Sequence, residues 1–251
     1  MITLINLWGP FSIQSYGTMI VLGIITTLFF IKRDKQLAAL IPFNRLLDLV
    51  TFIIIAAIIG GRALFILETD EDIKFLQALS IWRGGFSVLG SIITTLIVTP
   101  LYLYIKKISI IPLLDRIAIY APLLLSISRL GCFLAGCCYG KPSNVSWTIT
   151  YTNSDSLAPL HQALHPTQLY STLALFCIFI LFYIIRNNKH PKGYFLGNFL
   201  FFIGLERYLV DFLRGDSLPT STSYSQTQLV AVCLMAIGLL IKTFAINKEK
   251  K

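Results

Sequence analysis

Six charged side chains of this sequence fall inside segments that are otherwise strongly apolar. They are Arg62, Arg129, Glu206, Arg207, Asp211 and Arg214. A charge near the centre of a lipid bilayer costs at least about 2.5 kcal/mol, so such residues usually face a bundle interior or a water-filled cavity. A guanidinium group binds phosphate through two parallel hydrogen bonds. Arginines that converge in the outer half of a bundle could therefore hold a phospholipid headgroup. The alternative is that these charges pair with one another or extend to the membrane interface.

Three of these charges follow a helical repeat. Arg207, Asp211 and Arg214 are spaced i, i+4 and i+7, which predicts that they share one face of a single helix. Asp211 would then lie between two guanidinium groups and position them, which leaves a net positive charge on that face.

Three of the five cysteines form a cluster in the sequence, namely Cys132, Cys137 and Cys138. One interpretation is a thiol-redox protein, although no CxxC motif is present and adjacent cysteines form a strained disulfide. The spacing also differs from that of common zinc sites, so we expect no metal. The simplest interpretation is that three small residues form a tight turn at a helix end, with or without one disulfide.

The composition shows which elements must position these residues. The chain is 55% hydrophobic and 13% charged, with a mean hydropathy of +0.74, whereas soluble domains are about 25% charged. Its apolar segments approach the roughly 20 residues that cross a bilayer as a helix. We therefore predict an all-α integral membrane protein, one domain over residues 1–251, with seven transmembrane helices. The predicted spans are Ser12–Ile31, Leu46–Leu67, Phe86–Ile105, Arg116–Gly136, Gln168–Ile185, Tyr194–Leu213 and Gln226–Ile246.

The basic residues predict the orientation of these spans. The net charge of +9 is concentrated in short loops, which argues against nucleic-acid binding and for the positive-inside rule. The opposite loops are acidic or nearly neutral, as at Glu68–Asp72, so we expect an outside N-terminus, a cytoplasmic C-terminus and a small outward head at about 137–167. MITLINLWGP lacks a basic n-region, so we expect no signal cleavage. The basic residues on the predicted cytoplasmic side are Lys32, Arg33, Lys35, Arg45, Lys106, Lys107, Arg186, Lys189, Lys192, Lys248, Lys250 and Lys251.

A series of short motifs, taken in order, resembles the bacterial prolipoprotein diacylglyceryl transferase family along nearly the whole chain. The order and spacing of the motifs carry the resemblance, since no single motif is specific. The motifs are SYG at Ser15–Gly17, GGRALFIL at Gly60–Leu67, IWRGGFSVLGS at Ile81–Ser91, SRLGCFLAGCCYGKPS at Ser128–Ser143 with Trp147, HPTQLY at His165–Tyr170, and RYLVDFLRGD at Arg207–Asp216.

That resemblance implies a seven-helix enzyme of the bacterial plasma (inner) membrane that acts in lipoprotein biosynthesis. Such enzymes transfer the diacylglyceryl group of phosphatidylglycerol to the thiol of the lipobox cysteine of a prolipoprotein. Glycerol phosphate leaves, and a thioether forms. The implied partners are phosphatidylglycerol, prolipoproteins and membrane lipid, and no cofactor or metal is implied.

The resemblance also assigns roles to particular residues. Arg129 and Arg207 would bind the lipid phosphate, Tyr16 would orient the headgroup, Asp211 would position the arginines, and His165 is the candidate for proton transfer. Tyr16 and Tyr170 also suit interfacial anchoring, and His165 before Pro166 also suits a turn. The expected substrate-binding residues are Tyr16, Arg62, Gly131, Gly140, Tyr170 and Arg214.

The chain departs from the family pattern at positions that bear on catalysis. In the signature GRxGNFxNxExxG, Cys132 and Ala135 replace asparagines and Cys137 replaces the glutamate. Leu89 stands where the family has a histidine that could act as a general base, and leucine has no such chemistry. Asp211 and Ser171 replace two further glutamates of the family.

These departures leave several functions open. Another base could serve the reaction, with His165, Asp211, Cys137 and Cys138 as candidates. The chain could instead act on another lipid or acceptor, or be inactive. A membrane thiol-redox protein that uses Cys132, Cys137 and Cys138 is a further alternative. A transporter is the last, although the sequence shows no clear internal repeat.

Overall fold

The computed structural model describes residues 3–8, 11–69, 85–216 and 225–249. Outside them lie most of the acidic segment Glu68–Asp72, the start of the motif Ile81–Ser91, and Lys250 and Lys251. The chain forms two compact units. The larger unit contains Met1–Leu7, Ser12–Asp34 and Leu114–Lys251, and the smaller unit contains Trp8–Phe11 and Lys35–Leu113.

The described residues are mainly helical, as the apolar segments predict. The helices are α1 (Ser15–Ile31), α2 (Lys35–Leu40), α3 (Phe43–Glu68), α4 (Val88–Ile105), α5 (Ile110–Ile117), α6 (Ala121–Ala135), α7 (Thr167–Ile185), α8 (Tyr194–Asp211) and α9 (Gln226–Glu249). Four short strands form two sheets of two strands each. One sheet contains β1 (Thr3–Trp8) and β2 (Phe11–Gln14), and in the other β3 (Ile149–Thr150) pairs antiparallel with β4 (Ala163–Leu164).

Within the described residues, four helices are long and apolar enough to cross a membrane, namely α3, α4, α7 and α9. A fifth span results if α5 and α6, which are bent by 49°, count as one. The predicted first span corresponds to α1, an apolar helix of 17 residues. The predicted sixth span corresponds to α8, which is not among the candidates because it carries Glu206, Arg207 and Asp211. The structure therefore confirms an all-α protein with several apolar spans.

Helices of the larger unit pack in the order α1, α6, α7, α8 and α9, and α3 packs on α4 in the smaller unit. Glycines allow the closest approaches. A Cβ atom added at Gly197 of α8 would lie 2.7 Å from the carbonyl oxygen of Gly238 on α9, and one at Gly60 of α3 would lie 2.8 Å from that of Gly90 on α4. Small residues at such crossings are typical of membrane helices, where packing and not water exclusion holds helices together.

A buried ion pair connects three parts of the larger unit. Arg116 donates two hydrogen bonds to the carboxylate of Asp34, at 2.7 and 3.1 Å, and a third to the carbonyl of Arg186 at 2.6 Å. The hydroxyl of Tyr120 donates to the same carboxylate at 2.5 Å. This network joins the residues that follow α1 and α7 to Arg116 of α5 and to Tyr120 before α6. It satisfies charges that would otherwise be buried alone.

Residues 137–167, which we call the head, follow α6 and contain the two short strands β3 and β4. The two strands β3 and β4 pair with Ile149 opposite Leu164, and further bridges join Pro142 to Leu164 and Gly140 to Arg214. The head is therefore attached by backbone hydrogen bonds to the segment that follows α8.

One sequence prediction is wrong at this junction. The spacing of Arg207, Asp211 and Arg214 predicts one helical face, but α8 ends at Asp211. Arg214 lies beyond the helix, in the bridge with Gly140. The helix ends here because the backbone of residues 213–215 bonds to the head instead, with Lys141 N–H donating to the Leu213 carbonyl at 2.7 Å.

Candidate functional site: a buried arginine beside three thiols

The end of α6 brings the three clustered cysteines together. Gly136 adopts a left-handed conformation with φ +73°, and its N–H donates to the carbonyl of Phe133. This is the common glycine ending of a helix, since other residues are strained there. The N–H of Cys137 then donates to the carbonyl of Cys132 at 3.2 Å. The chain thus turns back, and the predicted tight turn at the helix end is confirmed.

Hydrogen bonds from α7 hold the cysteine loop in place. Thr167 donates its hydroxyl to the carbonyl of Cys138 at 2.7 Å, and Gln168 donates its amide to the carbonyl of Cys137 at 2.8 Å. Both donors are buried. A side chain at Gly140 would collide with His165, whose carbonyl accepts the Gly140 N–H at 3.1 Å. These hydrogen bonds hold the backbone of Cys137, Cys138 and Gly140 in place, and so they define the positions of the two sulfur atoms.

The side chain of Arg129 lies directly against these thiols. Arg129 is only 9% exposed, and its Nη1 atom lies 3.9 Å from the Sγ of Cys132 and 3.8 Å from the Sγ of Cys138. Its Nε atom is buried without a hydrogen-bond partner, and no carboxylate of the described residues forms an ion pair with it. A buried cation with a free donor is suited to an anionic ligand.

Tyr16 approaches this cation from α1. A Cβ atom added at Gly131 would lie 3.0 Å from Met19 and 3.3 Å from Tyr16, so the glycine lets α1 and α6 meet closely. The Tyr16 phenol interacts electrostatically with the cysteine cluster and with Arg129. The structure therefore brings Tyr16, Gly131 and Arg129 together.

Glu206 joins the site although the sequence analysis gave it no role. It is 6% exposed, its carboxylate accepts a hydrogen bond from Ser171, and it interacts electrostatically with Arg129 and Arg214. Its second oxygen, Oε2, has no hydrogen bond and lies 3.7 Å from the Nε of Arg207. Glu206 could have been found from the sequence, because it is an acidic residue inside an otherwise apolar segment.

Asp211 and Arg214 have partners other than those predicted. The carboxylate of Asp211 accepts a hydrogen bond from Ser225. Arg214 forms a two-pronged pair with Asp216, at 2.9 and 3.1 Å, and interacts electrostatically with Cys138 and Asp211. Asp211 is thus near Arg214, but the ion pairs of the described residues do not place it between two arginines.

His165 lies in the head, and Tyr170 lies in the first turn of α7. The Tyr170 hydroxyl lies 3.2 Å from the Nδ1 atom of His165 and accepts a hydrogen bond from Trp147 at 2.7 Å. These three side chains form one chain of hydrogen bonds. No described contact joins the His165 ring to Arg129 or to the thiols.

Arg62 and Leu89 lie in the smaller unit. Arg62 donates to the carbonyl of Gly85 at 2.8 Å, and its guanidinium lies 5.4 Å from the centre of the Phe65 ring. Leu89 is exposed near the start of α4. The structure gives Arg62 a role in holding the turn before α4.

The three cysteines could hold a metal ion. Their Sγ atoms all lie within 4.8 Å of one another, and all five cysteines are free. Hydrogen bonds with the thiols of Cys132 and Cys137, together with the charges of Arg214 and Arg129, hold the pKa of the Cys138 thiol below its ordinary value. Cys138 is therefore the thiol of the cluster that most readily carries a negative charge, whereas hydrogen bonds with Cys132 and Cys138 raise the pKa of the Cys137 thiol.

An apolar groove of about 540 Å³ runs between α1, α6 and α7. Leu130, which follows Arg129, is among the residues that line it. The remaining lining residues are Thr26, Phe30, Leu123, Ser126, Ile127, Leu169, Thr172, Leu173, Phe176, Phe179, Ile180 and Tyr183. The groove has the size and the lining of a site for an apolar ligand.

The fold and the site define a multi-pass membrane protein in which α6 carries a buried arginine beside a cluster of thiols and also lines an apolar groove. The model of the prolipoprotein diacylglyceryl transferase family matches residues 2–244. The chain belongs to this family.

Two relatives show how far the similarity extends. The phosphatidylglycerol–prolipoprotein diacylglyceryl transferase of Clostridium tetani (strain Massachusetts / E88) is 32% identical over 252 residues, which cover 99% of this chain and 98% of the relative. Phosphatidylglycerol–prolipoprotein diacylglyceryl transferase 2 of Clostridium perfringens (strain 13 / Type A) is 32% identical over 244 residues, 95% of this chain and 92% of the relative.

Proposed function

We propose that this chain transfers the diacylglyceryl group of phosphatidylglycerol to prolipoproteins, as the names of its relatives describe. The acceptor group is the thiol of the lipobox cysteine, as the resemblance of the motifs implies. The observation that carries the proposal is Arg129, a buried cation with an unpartnered donor on α6, the helix whose Ser126 and Leu130 line an apolar groove. This arrangement suits a phosphate on one side and an acyl chain on the other.

The reaction needs stabilisation of a leaving phosphate. The acceptor thiolate attacks the glycerol carbon that bears the phosphate, the carbon–oxygen bond breaks, and glycerol phosphate leaves with the bonding electrons. Arg129 binds the phosphate through its free donors, which raises the rate because the negative charge of the leaving group grows in the transition state. Tyr16, packed at Gly131, orients the headgroup.

The other site residues have supporting roles in this proposal. Arg214, held by Asp216, adds a second positive charge near Cys138. Arg207 is a further phosphate ligand, and its partly exposed side chain can leave Glu206, 3.7 Å away, to reach the anion. Asp211 positions Arg214, while Gly140 and Tyr170 shape the rim of the site where His165 would handle protons.

The experiment is a transfer assay in vesicles of phosphatidylglycerol with a lipobox peptide, read by the mass of the peptide. We expect Arg129→Ala to lower the rate by about 100-fold or more, as the loss of one preorganised donor does elsewhere. Arg45→Ala, an exposed arginine of the smaller unit, is the matched control and keeps the rate. Equal rates for the two variants would contradict the assignment of Arg129. A folded wild-type protein without transfer would contradict the function.

For the topology, we propose seven spans, with the N-terminus outside and the C-terminus in the cytoplasm of a bacterial cell. The four apolar helices, the bent pair α5–α6, and α1 and α8 supply the seven spans. A C-terminal green fluorescent protein should fluoresce, and an alkaline phosphatase fused at the same place should be inactive. The opposite pattern would contradict this orientation, because it would place the C-terminus outside.

A further inference from the structure

The three thiols of the cysteine cluster have the geometry of a metal site. The Sγ atoms of Cys132, Cys137 and Cys138 lie within 4.8 Å of one another. A tetrahedral zinc ion holds its sulfur ligands about 3.8 Å apart, because zinc–sulfur bonds are about 2.3 Å long. The sulfur separations of at most 4.8 Å exceed that spacing by no more than about 1 Å. The spacing of the cysteines along the chain does not predict this arrangement, because it depends on the left-handed turn at Gly136, which folds Cys137 and Cys138 back toward α6.

The charges around the cluster suit a thiolate–metal centre. Three thiolates and one divalent cation carry a net charge of −1. Arg129 places Nη1 beside two of the sulfur atoms, and Arg214 interacts electrostatically with Cys138. N–H donors around metal-bound sulfur orient the ligands and stabilise their charge. The carbonyl groups of Cys137 and Cys138 are already fixed by Gln168 and Thr167, so little ordering remains to be done on binding.

The chemistry of the proposed reaction gives such a centre a use. A thiol must become a thiolate before it attacks, and a metal deprotonates the thiol that it coordinates. The chain has Leu89 where its family has a histidine. Catalytic zinc sites have three protein ligands and leave the fourth position for a substrate. The cluster offers three ligands, and Arg129, the proposed phosphate ligand, is next to it.

We propose that Cys132, Cys137 and Cys138 bind a zinc ion whose fourth position takes the thiol of the acceptor peptide, an inference that rests on the proposed function. The acceptor sulfur loses its proton to water as it binds zinc. It then forms a bond to the glycerol carbon while the carbon–oxygen bond to phosphate breaks. The neutral thioether is a weak ligand and leaves the metal. No oxidation or reduction takes place.

The first test is a spectroscopic titration of the full chain in detergent. Reduced and chelator-treated protein is titrated with Co²⁺ alone, which replaces zinc and shows thiolate-to-metal charge-transfer bands. We expect one Co²⁺ per chain. Cys137→Ser removes one of the three proposed ligands and should weaken Co²⁺ binding by at least about 100-fold. Replacing a residue that only hydrogen-bonds to a metal ligand already weakens metal binding by up to about 100-fold. The matched controls Cys177→Ser and Cys233→Ser, both exposed and outside the cluster, should bind as the wild type does.

The second test uses the wild-type Co²⁺ form, so it does not depend on any variant folding. A lipobox peptide should shift the visible bands of the metal, and a peptide with serine in place of its cysteine should not. Saturable binding with this response supports the inference. Binding that is no tighter in the wild type than in Cys137→Ser, or bands that do not respond to the peptide thiol, would overturn it.

The transfer assay separates the inference from the function. Chelation should abolish transfer, and Zn²⁺ should restore it. Full activity of chelated, metal-free protein would overturn the zinc role and leave the transferase function intact. A peptide-responsive metal without any diacylglyceryl transfer would support the thiol-binding centre and contradict phosphatidylglycerol as the donor.

Discussion

The Nη1 atom of Arg129 lies 3.8 Å from the Sγ atom of Cys138. The residue that we assign to the lipid phosphate therefore also touches the proposed thiol-binding centre. In the mechanism that we propose, this contact would bring the leaving group and the nucleophile of the reaction together, so we expect a change of Arg129 to affect both.

The planar shape of the Arg129 guanidinium should matter as well as its charge. Arg129→Lys keeps a cation but loses the two-pronged hydrogen bonding to phosphate. We expect the transfer rate to fall by about 10-fold, which corresponds to the loss of one charge-assisted hydrogen bond of about 1.5 kcal/mol. The measurement is the vesicle assay, with Arg33→Lys, an exposed arginine, as the control. A rate equal to that of the wild type would show that charge alone is sufficient.

The carboxylate of Glu206 should influence the rate without holding the fold together. Glu206→Gln keeps the shape of the side chain and can still accept the hydrogen bond of Ser171, but it removes the negative charge that interacts with Arg129 and Arg214. We expect slower transfer at nearly unchanged thermal stability, because a neutral amide is easier to bury than a charge. The two readouts are the initial rate and the unfolding temperature in detergent. Loss of stability with normal transfer per folded molecule would assign Glu206 to the fold instead.

The buried pair of Asp34 and Arg116 should dominate the stability of its end of the larger unit. Asp34→Ala leaves the guanidinium of Arg116 buried without its carboxylate, and breaking such a pair costs about 3–5 kcal/mol. We expect a clear fall in the free energy of unfolding, measured by denaturation in detergent. The double variant Asp34→Leu with Arg116→Met should recover much of the loss, since it removes both charges. A single variant as stable as the wild type would contradict this account.

The groove between α1, α6 and α7 should discriminate among lipids by chain length. Ile127→Trp fills part of the groove, so we expect a larger loss of transfer with long-chain than with short-chain phosphatidylglycerol. The comparison is the ratio of kcat/KM for the two lipids in mixed micelles. Ile92→Trp, on an exposed face of α4 in the smaller unit, is the control and should leave the ratio unchanged. An equal loss for both lipids would place the acyl chain elsewhere.

Much of the architecture follows from the sequence because hydropathy is a local property. The apolar segments predict α3, α4, α7 and α9, and the motifs predict the family. Arg129 could be singled out from the sequence because a charged residue inside an apolar segment is costly and usually faces the interior of a helix bundle or a cavity. The end of α8 was less predictable, since the i, i+4, i+7 spacing ignores the backbone bonds that draw residues 213–215 to the head.

The sequence by itself determined the class of protein, its family and the identity of the buried cation. Only the tertiary structure decided what surrounds that cation. The turn at Gly136 brings the thiols to Arg129, and the packing of α1 and α7 on α6 adds Tyr16 and forms the apolar groove. Arg214 interacts with Cys138 from beyond α8. The physical reason is that periodicity along a chain describes one helix at a time, whereas a site is made by side chains that converge from several helices.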